Sequence, residues 1–200
     1  GLSHDLRTPL ARLRLEAELS IREDHARNAV IDDIEQMDAI IGQFLDFARG
    51  ESGEEPEFAD INEIVTQVAE TPGRREEPPT LALAELPLVR IHRKALTRAI
   101  VNLLENARKY GGEPITLETS SVGGEVRIDI LDRGPGIPQN EVERLKRPFT
   151  RLEGARTDAT GTGLGLAIVD RIARLHKGSL DLIGRDGGGL IARFRIPTDK

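Results

Sequence analysis

Val30, Ile34, Met37, Ile41, Phe44 and Ala48 step by four, three, four, three and four residues. That rhythm keeps every member on one side of an α-helix, because a mean step of about 3.5 residues nearly matches the helical turn of about 3.6. A second stripe precedes it, with Leu6, Leu10, Leu13 and Ala17 stepping by four, three and four. The polar break S-I-R-E-D-H-A-R at residues 20–27 lies between the two. Two amphipathic helices joined by a short break fold as an antiparallel hairpin. A lone hairpin cannot bury both of its apolar faces. It pairs with a second copy into a four-helix bundle or packs on the rest of its own chain, and the sustained seam favours the bundle.

The remainder of the chain changes character. R-G-E-S-G-E-E-P-E at residues 49–57 combines Gly, Pro and Glu without apolar periodicity and reads as a linker. This divides the chain into a hairpin at residues 1–50, a linker at 51–57 and a second domain at 58–200. In that domain Asp60 is the expected N-cap of a short helix from Ile61 to Glu70. Strands are expected over Thr80 to Ala84 and Leu88 to Ile91, then a long helix from Arg93 to Tyr110 that stops at Gly111-Gly112. Ile115 to Ser120 and Val126 to Leu131 predict a hairpin across V-G-G-E. An irregular stretch to Thr160 leads into a helix from Gly163 to Leu175. Two strands, Ser179 to Ile183 and Leu190 to Ile196, flank R-D-G-G-G. The fold class is α+β: a helical hairpin, then an α/β domain with helices on one face of a mixed sheet.

Composition excludes several functions. The formal charge is −6, against the basic stripe of a nucleic-acid binder, so no nucleic-acid partner is expected. Cysteine and tryptophan are absent and Tyr110 is the only tyrosine, so the core must come from Leu, Ile, Val and Ala. Neither a disulfide nor a thiolate metal site can form. No apolar run reaches the roughly 18 residues that span a bilayer. The sequence starts just before His4, in mid-pattern, as a fragment of a longer protein would.

Five motifs carry chemistry. In L-S-H-D-L-R-T-P-L, His4 and Thr8 share a helix face, Asp5 flanks the imidazole, and Pro9 cannot donate to the carbonyl of Asp5. On the Arg93–Tyr110 helix, Leu96, Ile100, Leu103 and Ala107 form an apolar stripe. Arg98, Asn102, Asn106 and Lys109 form a second face, suited to a hard cation and phosphate oxygens, or simply to solvent. D-R-G-P-G-I at residues 132–137 ends a strand with a carboxylate able to accept from an exocyclic amine such as that of adenine. Gly134 and Gly136 let a ring approach, although Asp and Gly are also ordinary turn residues. T-G-T-G-L-G-L at residues 160–166 opens directly into an apolar helix, and its backbone N–H groups suit phosphates. It lacks the lysine of a P-loop and the acidic partner of a dinucleotide fingerprint. Between these two motifs, R-P-F-T-R at residues 147–151 and Arg156 sit in a long loop of the kind that forms lids.

Taken in order, H-D-L-R-T-P-L, N-L-L-E-N-A-R-K-Y, D-R-G-P-G-I, R-P-F-T-R and G-T-G-L-G-L-A-I-V resemble the sensor histidine kinases of bacterial two-component systems. The hairpin tail and the A-D-I-N-E helix look most like the osmosensor kinase EnvZ family. The resemblance implies a dimerisation and phosphotransfer hairpin followed by an ATP-binding α/β sandwich of the gyrase, Hsp90, histidine kinase and MutL type. It implies that His4 is the phosphoacceptor, Asp5 its acid-base neighbour and Thr8 the polar position used for phosphatase activity. Asn106 then ligates Mg²⁺, Asn102 and Lys109 lie near the phosphates of ATP, and Tyr110 lies against the nucleotide. Asp132 reads the adenine amine, with Gly134, Gly136 and Ile137 around it. Arg151, Thr160, Gly161, Thr162, Gly163, Leu164 and Gly165 complete the nucleotide set. The implied partners are a cognate response regulator and a second copy of the chain. The location implied is cytoplasmic, in a protein held in the bacterial inner membrane by segments outside this sequence. The family's first helix normally begins well upstream of its histidine, which is a departure here. The alternatives are an ATPase or serine kinase of the same fold, or a scaffold that binds nucleotide and transfers nothing.

Overall fold

The computed structural model describes residues 2–49, 54–71, 77–152 and 162–198, and within the hairpin the side chains of residues 2–7, 36, 39, 43 and 46–49 lie outside that description. The chain divides into two compact units, the hairpin and the sheet-containing remainder.

In the first unit, α1 (Leu2–Ser20) and α2 (Asp24–Arg49) form the predicted hairpin. Leu10 and Ala17 of α1 and Ile34 and Leu45 of α2 are buried. Arg14 reaches Glu35 across the helices at 2.9 Å, an exposed pair that adds little stability. Within the α2 seam Ile34 is buried, whereas Val30, Met37 and Phe44 are exposed, as are Leu13, Leu15 and Leu19 of α1. One hairpin therefore covers only part of the apolar surface its sequence carries, and the uncovered strip has the character of an interaction face.

The second unit contains β1 (Glu57–Ala59), α3 (Ile61–Ala69), β2 (Thr80–Leu83), β3 (Val89–Ile91), α4 (Arg93–Tyr110), β4 (Thr116–Val122), β5 (Glu125–Leu131), α5 (Val142–Leu145), α6 (Gly165–Leu175), β6 (Ser179–Gly184) and β7 (Leu190–Pro197). Strands β1 and β3 pair antiparallel. The main sheet runs β2-β4-β5-β7-β6, with β2 parallel to β4 and the other pairs antiparallel. Gly123 and Gly124 turn β4 into β5 with φ of 65° and 81°, as a two-residue hairpin requires.

Period-two alternation sorts the two faces of this sheet. Leu117, Val126, Ile128, Ile130, Leu180 and Phe194 are all buried, on the face that α4 and α6 cover. The other face carries charge in register. Asp129 stands opposite Arg193, and Arg193 opposite Asp181. Arg193 grips both oxygens of Asp129, Nε to Oδ1 at 2.9 Å and Nη2 to Oδ2 at 2.7 Å. The carboxylate holds the guanidinium above the ordinary arginine value. Arg195 pairs with Asp181, and Arg127 pairs with Glu125 at 2.7 Å.

Three features depart from the sequence reading. The stretch assigned to a linker as far as Glu57 already forms β1 at Glu57. The irregular stretch before Thr160 contains a turn of 3₁₀ helix, Gln139–Glu141, and then α5. The glycine-rich helix starts at Gly165, not Gly163, because Gly163 sits at φ 68° and cannot be helical.

The start of α4 is built by distant residues. His92 occupies the N-cap position without capping through its side chain. Glu54 caps instead, accepting from the amides of Lys94 at 2.7 Å and Ala95 at 3.2 Å. The His92 amide donates to Nε2 of His176 at 3.0 Å, and Nδ1 of His176 donates to the carbonyl of Ile172 at 2.8 Å. That pair of bonds fixes a neutral tautomer, and burial pushes His176 below the ordinary histidine value. His92 and His176 thus serve as structural groups, as their lack of any motif suggests.

Candidate nucleotide site

Helix α4 presents the two faces its sequence predicts. Leu96, Ile100, Leu103 and Ala107 are buried. On the polar face Asn102 is also buried, and its Nδ2 donates to the carbonyl of Arg98 at 2.9 Å, leaving its Oδ1 directed elsewhere. One turn later Asn106 is half-buried, and its Nδ2 is fully covered with no hydrogen-bond partner among the described residues. A covered donor without a partner costs about 1–3 kcal/mol. Facing both amides is the first residue of α6. A Cβ on Gly165 would lie 3.4 Å from Asn106 Nδ2 and 3.5 Å from Asn102 Oδ1. No side chain caps α6, so its first turn brings backbone dipoles towards the same two amides.

At the C-terminal end of α4, Lys109 Nζ lies 5.6 Å from the centre of the Tyr110 ring. Burial, and then the like charge of Arg151, lower the Lys109 ammonium from the ordinary lysine value, while Glu105 opposes them. A lysine and an arginine whose charges repel each other suit an anion that both can reach. The carbonyl of Arg151 takes a bond from Arg144 Nη2 at 3.0 Å, which ties this segment to α5.

Asp132 directly follows β5 and is 5% exposed. Its Oδ1 accepts from the amides of Gly134 at 2.9 Å and Leu190 at 3.2 Å, while Oδ2 takes no hydrogen bond among the described residues. Glycines crowd this carboxylate for reasons of space. A Cβ on Gly111 would lie 2.6 Å from Asp132 Cβ and Cγ, and one on Gly134 would lie 2.6 Å from Gly111 Cα. Gly136 (φ 71°) faces the carbonyl of Gly189, and Gly163 packs on the backbone of Phe149 and Thr150. Phe149 itself adopts φ 62°, an uncommon conformation for an aromatic residue, and its amide donates to the Gly163 carbonyl at 2.9 Å.

The residues singled out in the sequence thus gather into two groups. Asn102, Asn106 and Gly165 form one, with Lys109 and Tyr110 at the end of the same helix and Arg151, in the loop after α5, acting on the charge of Lys109. Asp132, Gly134 and Gly136 form the other, joined to α4 through Gly111. Ile137 and Thr162 are half-buried near these groups in sequence, and Leu164 is fully buried, so its side chain belongs to the core. Thr160 and Gly161 lie outside the described residues. His4 and Asp5 fall within α1, their side chains outside the description, and Thr8 is exposed on the same helix. Two contributors were not singled out: Gly111, read only as a helix stop, and the R-D-G-G-G turn that meets Asp132. Three successive glycines in one turn were the available signal.

Residues 91–200 match the family of histidine kinase-, DNA gyrase B- and HSP90-like ATPases, and residues 1–53 match the His Kinase A phospho-acceptor domain. The sensor protein KdpD of Escherichia coli strain K12 is 33% identical over 98% of this chain and 24% of its own length. A crystal structure of full-length ShkA in complex with AMPPNP superposes with a TM-score of 0.78 at 28% identity, covering 100% of this chain and 45% of that one. The histidine kinase domain of the Escherichia coli osmosensor EnvZ, solved by NMR, gives a TM-score of 0.56 at 34% identity over 76% of this chain and 94% of that one. The chain spans less than half the length of the first curated relatives it matches.

Proposed function

This chain belongs to the sensor histidine kinase family, and on that premise we propose that it is the core of an ATP-dependent protein histidine kinase. The observation that carries the reading is the carboxylate of Asp132, buried, with one oxygen held by two backbone amides and the other unused among the described residues. An acceptor fixed in that way suits the exocyclic amine of adenine. Asn102, Asn106 and the start of α6 then receive the phosphates, with Lys109 and Arg151 as point charges. The uncovered need of Asn106 Nδ2 and the space beside Gly165 fit a triphosphate and its Mg²⁺, with Asn106 Oδ1 as the proposed ligand. When bound, the ion neutralises charge on the phosphoryl oxygens.

His4 is the proposed nucleophile. With Asp5 accepting from Nδ1–H, the lone pair of a neutral imidazole stays on Nε2. Nε2 bonds to the γ-phosphorus as its bond to the bridging oxygen breaks, ADP departs, and Asp5 takes the Nδ1 proton. The phosphoryl group then passes to an aspartate of a response regulator. Thr8, one turn further along α1, orients a water when the regulator is dephosphorylated. The exposed apolar strip of the hairpin supports a homodimer built as a four-helix bundle.

Incubation with γ-labelled ATP, followed by an acid-lability test, distinguishes this reading from its rivals. A histidine kinase gives an acid-labile label; a serine kinase gives a stable one, and a scaffold gives none. His4→Gln should abolish the label and leave ATP affinity within about 1 kcal/mol of the parent. Label persisting in that variant would refute the assignment of the nucleophile.

A further inference from the structure

The turn between β6 and β7, residues 185–189, does more than reverse the chain. Two residues suffice for a tight hairpin. Here Gly187, Gly188 and Gly189 follow one another at φ 79°, 96° and 109°, a run that only glycine adopts readily. The turn closes on itself, with Arg185 N donating to the Gly189 carbonyl and Gly188 N to the Arg185 carbonyl, both at 3.1 Å. It is also pressed onto the end of β5. A Cβ on Gly189 would fall 2.2 Å from the carbonyl oxygen of Asp132 and 3.1 Å from Arg133 Cα.

Arg185 is half-buried and sends Nη1 to that same Asp132 carbonyl at 2.6 Å. Among the described residues its guanidinium pairs with no carboxylate, although Asp186 is its neighbour in sequence. A guanidinium held on a neutral carbonyl makes a charge-assisted bond that fixes the direction of one peptide group. With this bond the amide, the carbonyl and Oδ1 of Asp132 are all held, and Oδ2 alone takes no hydrogen bond among the described residues. Its amide donates to the Leu190 carbonyl at 3.0 Å, Oδ1 takes the Gly134 and Leu190 amides, and the carbonyl takes Arg185.

We infer that Arg185 is a positioning residue for Asp132: it locks the Asp132–Arg133 peptide, and so sets where Oδ2 points, without touching the base. The inference rests on the proposed reading of Asp132 as the acceptor from adenine. Without the guanidinium, the Asp132 carbonyl loses its charged donor beneath Gly189, and the Asp132–Arg133 peptide is held only by the bond from the Arg133 amide to the Gly112 carbonyl at 2.8 Å; a tilt of that peptide displaces the Gly134 amide from Oδ1, and the carboxylate then turns Oδ2 away from the amine. The penalty falls only on nucleotides that offer that amine.

The test is calorimetric titration of the 200-residue chain with ATP and with the triphosphate of purine riboside, which lacks the 6-amino group. Arg185→Met should weaken ATP by about tenfold, within the range for a hydrogen bond to a charged group, and leave the purine analogue within about twofold. Arg185→Lys, which still reaches the carbonyl, should recover most of the loss. In an Asp132→Asn background, Arg185→Met should have no further effect, because the two act through one contact. Equal losses for both nucleotides, additive losses in the double variant, or unchanged ATP affinity would each overturn the inference. Should Arg185→Met not fold, Arg185→Gln, which keeps a neutral donor, carries the same comparison. The two layers fail differently. Asp132→Asn with parental affinity for ATP would refute the base-acceptor reading itself. A selective loss in Asp132→Asn beside a silent Arg185→Met would refute only the positioning role.

Discussion

Gly165→Ala separates binding from stability more cleanly than any other single change in the site. The added Cβ would sit 3.4 Å from Asn106 Nδ2, 3.5 Å from Asn102 Oδ1 and 3.6 Å from Asn106 Oδ1, so the methyl fits without moving the backbone. In a helix interior Ala exceeds Gly by about 1 kcal/mol, and less at a first helical residue such as this one. Stability of the free protein should therefore hold or rise slightly. Binding should move the other way. Asn106 Nδ2 is buried and unsatisfied among the described residues, and a phosphate oxygen reaching it would relieve about 1–3 kcal/mol. A methyl group standing between α6 and the two amides blocks that approach. The same free energy corresponds to a loss of about 5- to 150-fold in affinity for ATP. Thermal unfolding of the free protein and calorimetric titration with ATP and Mg²⁺ measure both arms. Parental ATP affinity with unchanged or higher stability would refute the cradle, leaving Gly165 only as the first residue of α6. A fall in stability would refute the claim that the methyl fits.

Three further outcomes follow from the same geometry. Thr8→Ala should reduce phosphatase activity towards a phosphorylated regulator by about 10²-fold, a typical loss for a proton-handling or water-positioning group, with autophosphorylation within a few-fold. A parallel fall in both activities, measured on one preparation, would mean that Thr8 supports the helix instead. Glu54→Ala removes two capping bonds from α4 and should cost about 1–2 kcal/mol in urea unfolding; a loss below about 0.5 kcal/mol would deny it the capping role. His176 is held neutral, burial being the first cause and the charge of His92 a lesser one, against the Ile172 carbonyl and Glu54, which favour the proton. Because its folded value lies below the ordinary 6.5, the unfolded chain binds the extra proton first, so stability should decline as pH falls below that value and level off below the folded one. A His176→Gln variant should lack this component, and an unchanged pH profile would exclude the histidine as its source.

What the sequence reveals is whatever repeats. The hairpin and both faces of α4 each rest on several residues spaced by a helical period and appear as read, and β5 appears one residue longer than read. Asp132 was legible for another reason: a carboxylate followed by glycines at a strand end is a local arrangement. Glu54 and Arg185 offer no such signal. Glu54 sits among Gly, Pro and Glu, where composition says linker, yet its carboxylate caps a helix some 40 residues on. Arg185 meets a carbonyl 53 residues earlier in the chain. Bonds of that kind join one side chain to one backbone atom across a long loop, so they leave neither period nor spacing in the sequence. Strand β1 escaped detection because three residues are too few to display alternation beside Pro56.

The geometry also explains why the α4 terminus is glycine when its conformation does not demand it. Gly111 has φ −82° and ψ −177°, open to any residue. What excludes a side chain is proximity, because a Cβ there would meet Asp132 Cβ and the Ala107 carbonyl at 2.6 and 2.5 Å. Gly134 returns the constraint, its absent Cβ falling 2.8 Å from the Tyr110 carbonyl. Two glycines thus let the end of a helix and the end of a strand touch backbone to backbone. The carboxylate proposed for the base is thereby fixed to the helix that carries the amides proposed for the phosphates. Asn106 and Gly111 are five residues apart, which is about 7.5 Å of helical rise. A rise of that size is a rigid spacer between two ends of one ligand, and it stays constant however the loop at residues 147–152 is arranged. In the proposed reading the distance between the two groups is then set by α4, with Glu54 capping one end of the helix and Gly111 packed on Asp132 at the other.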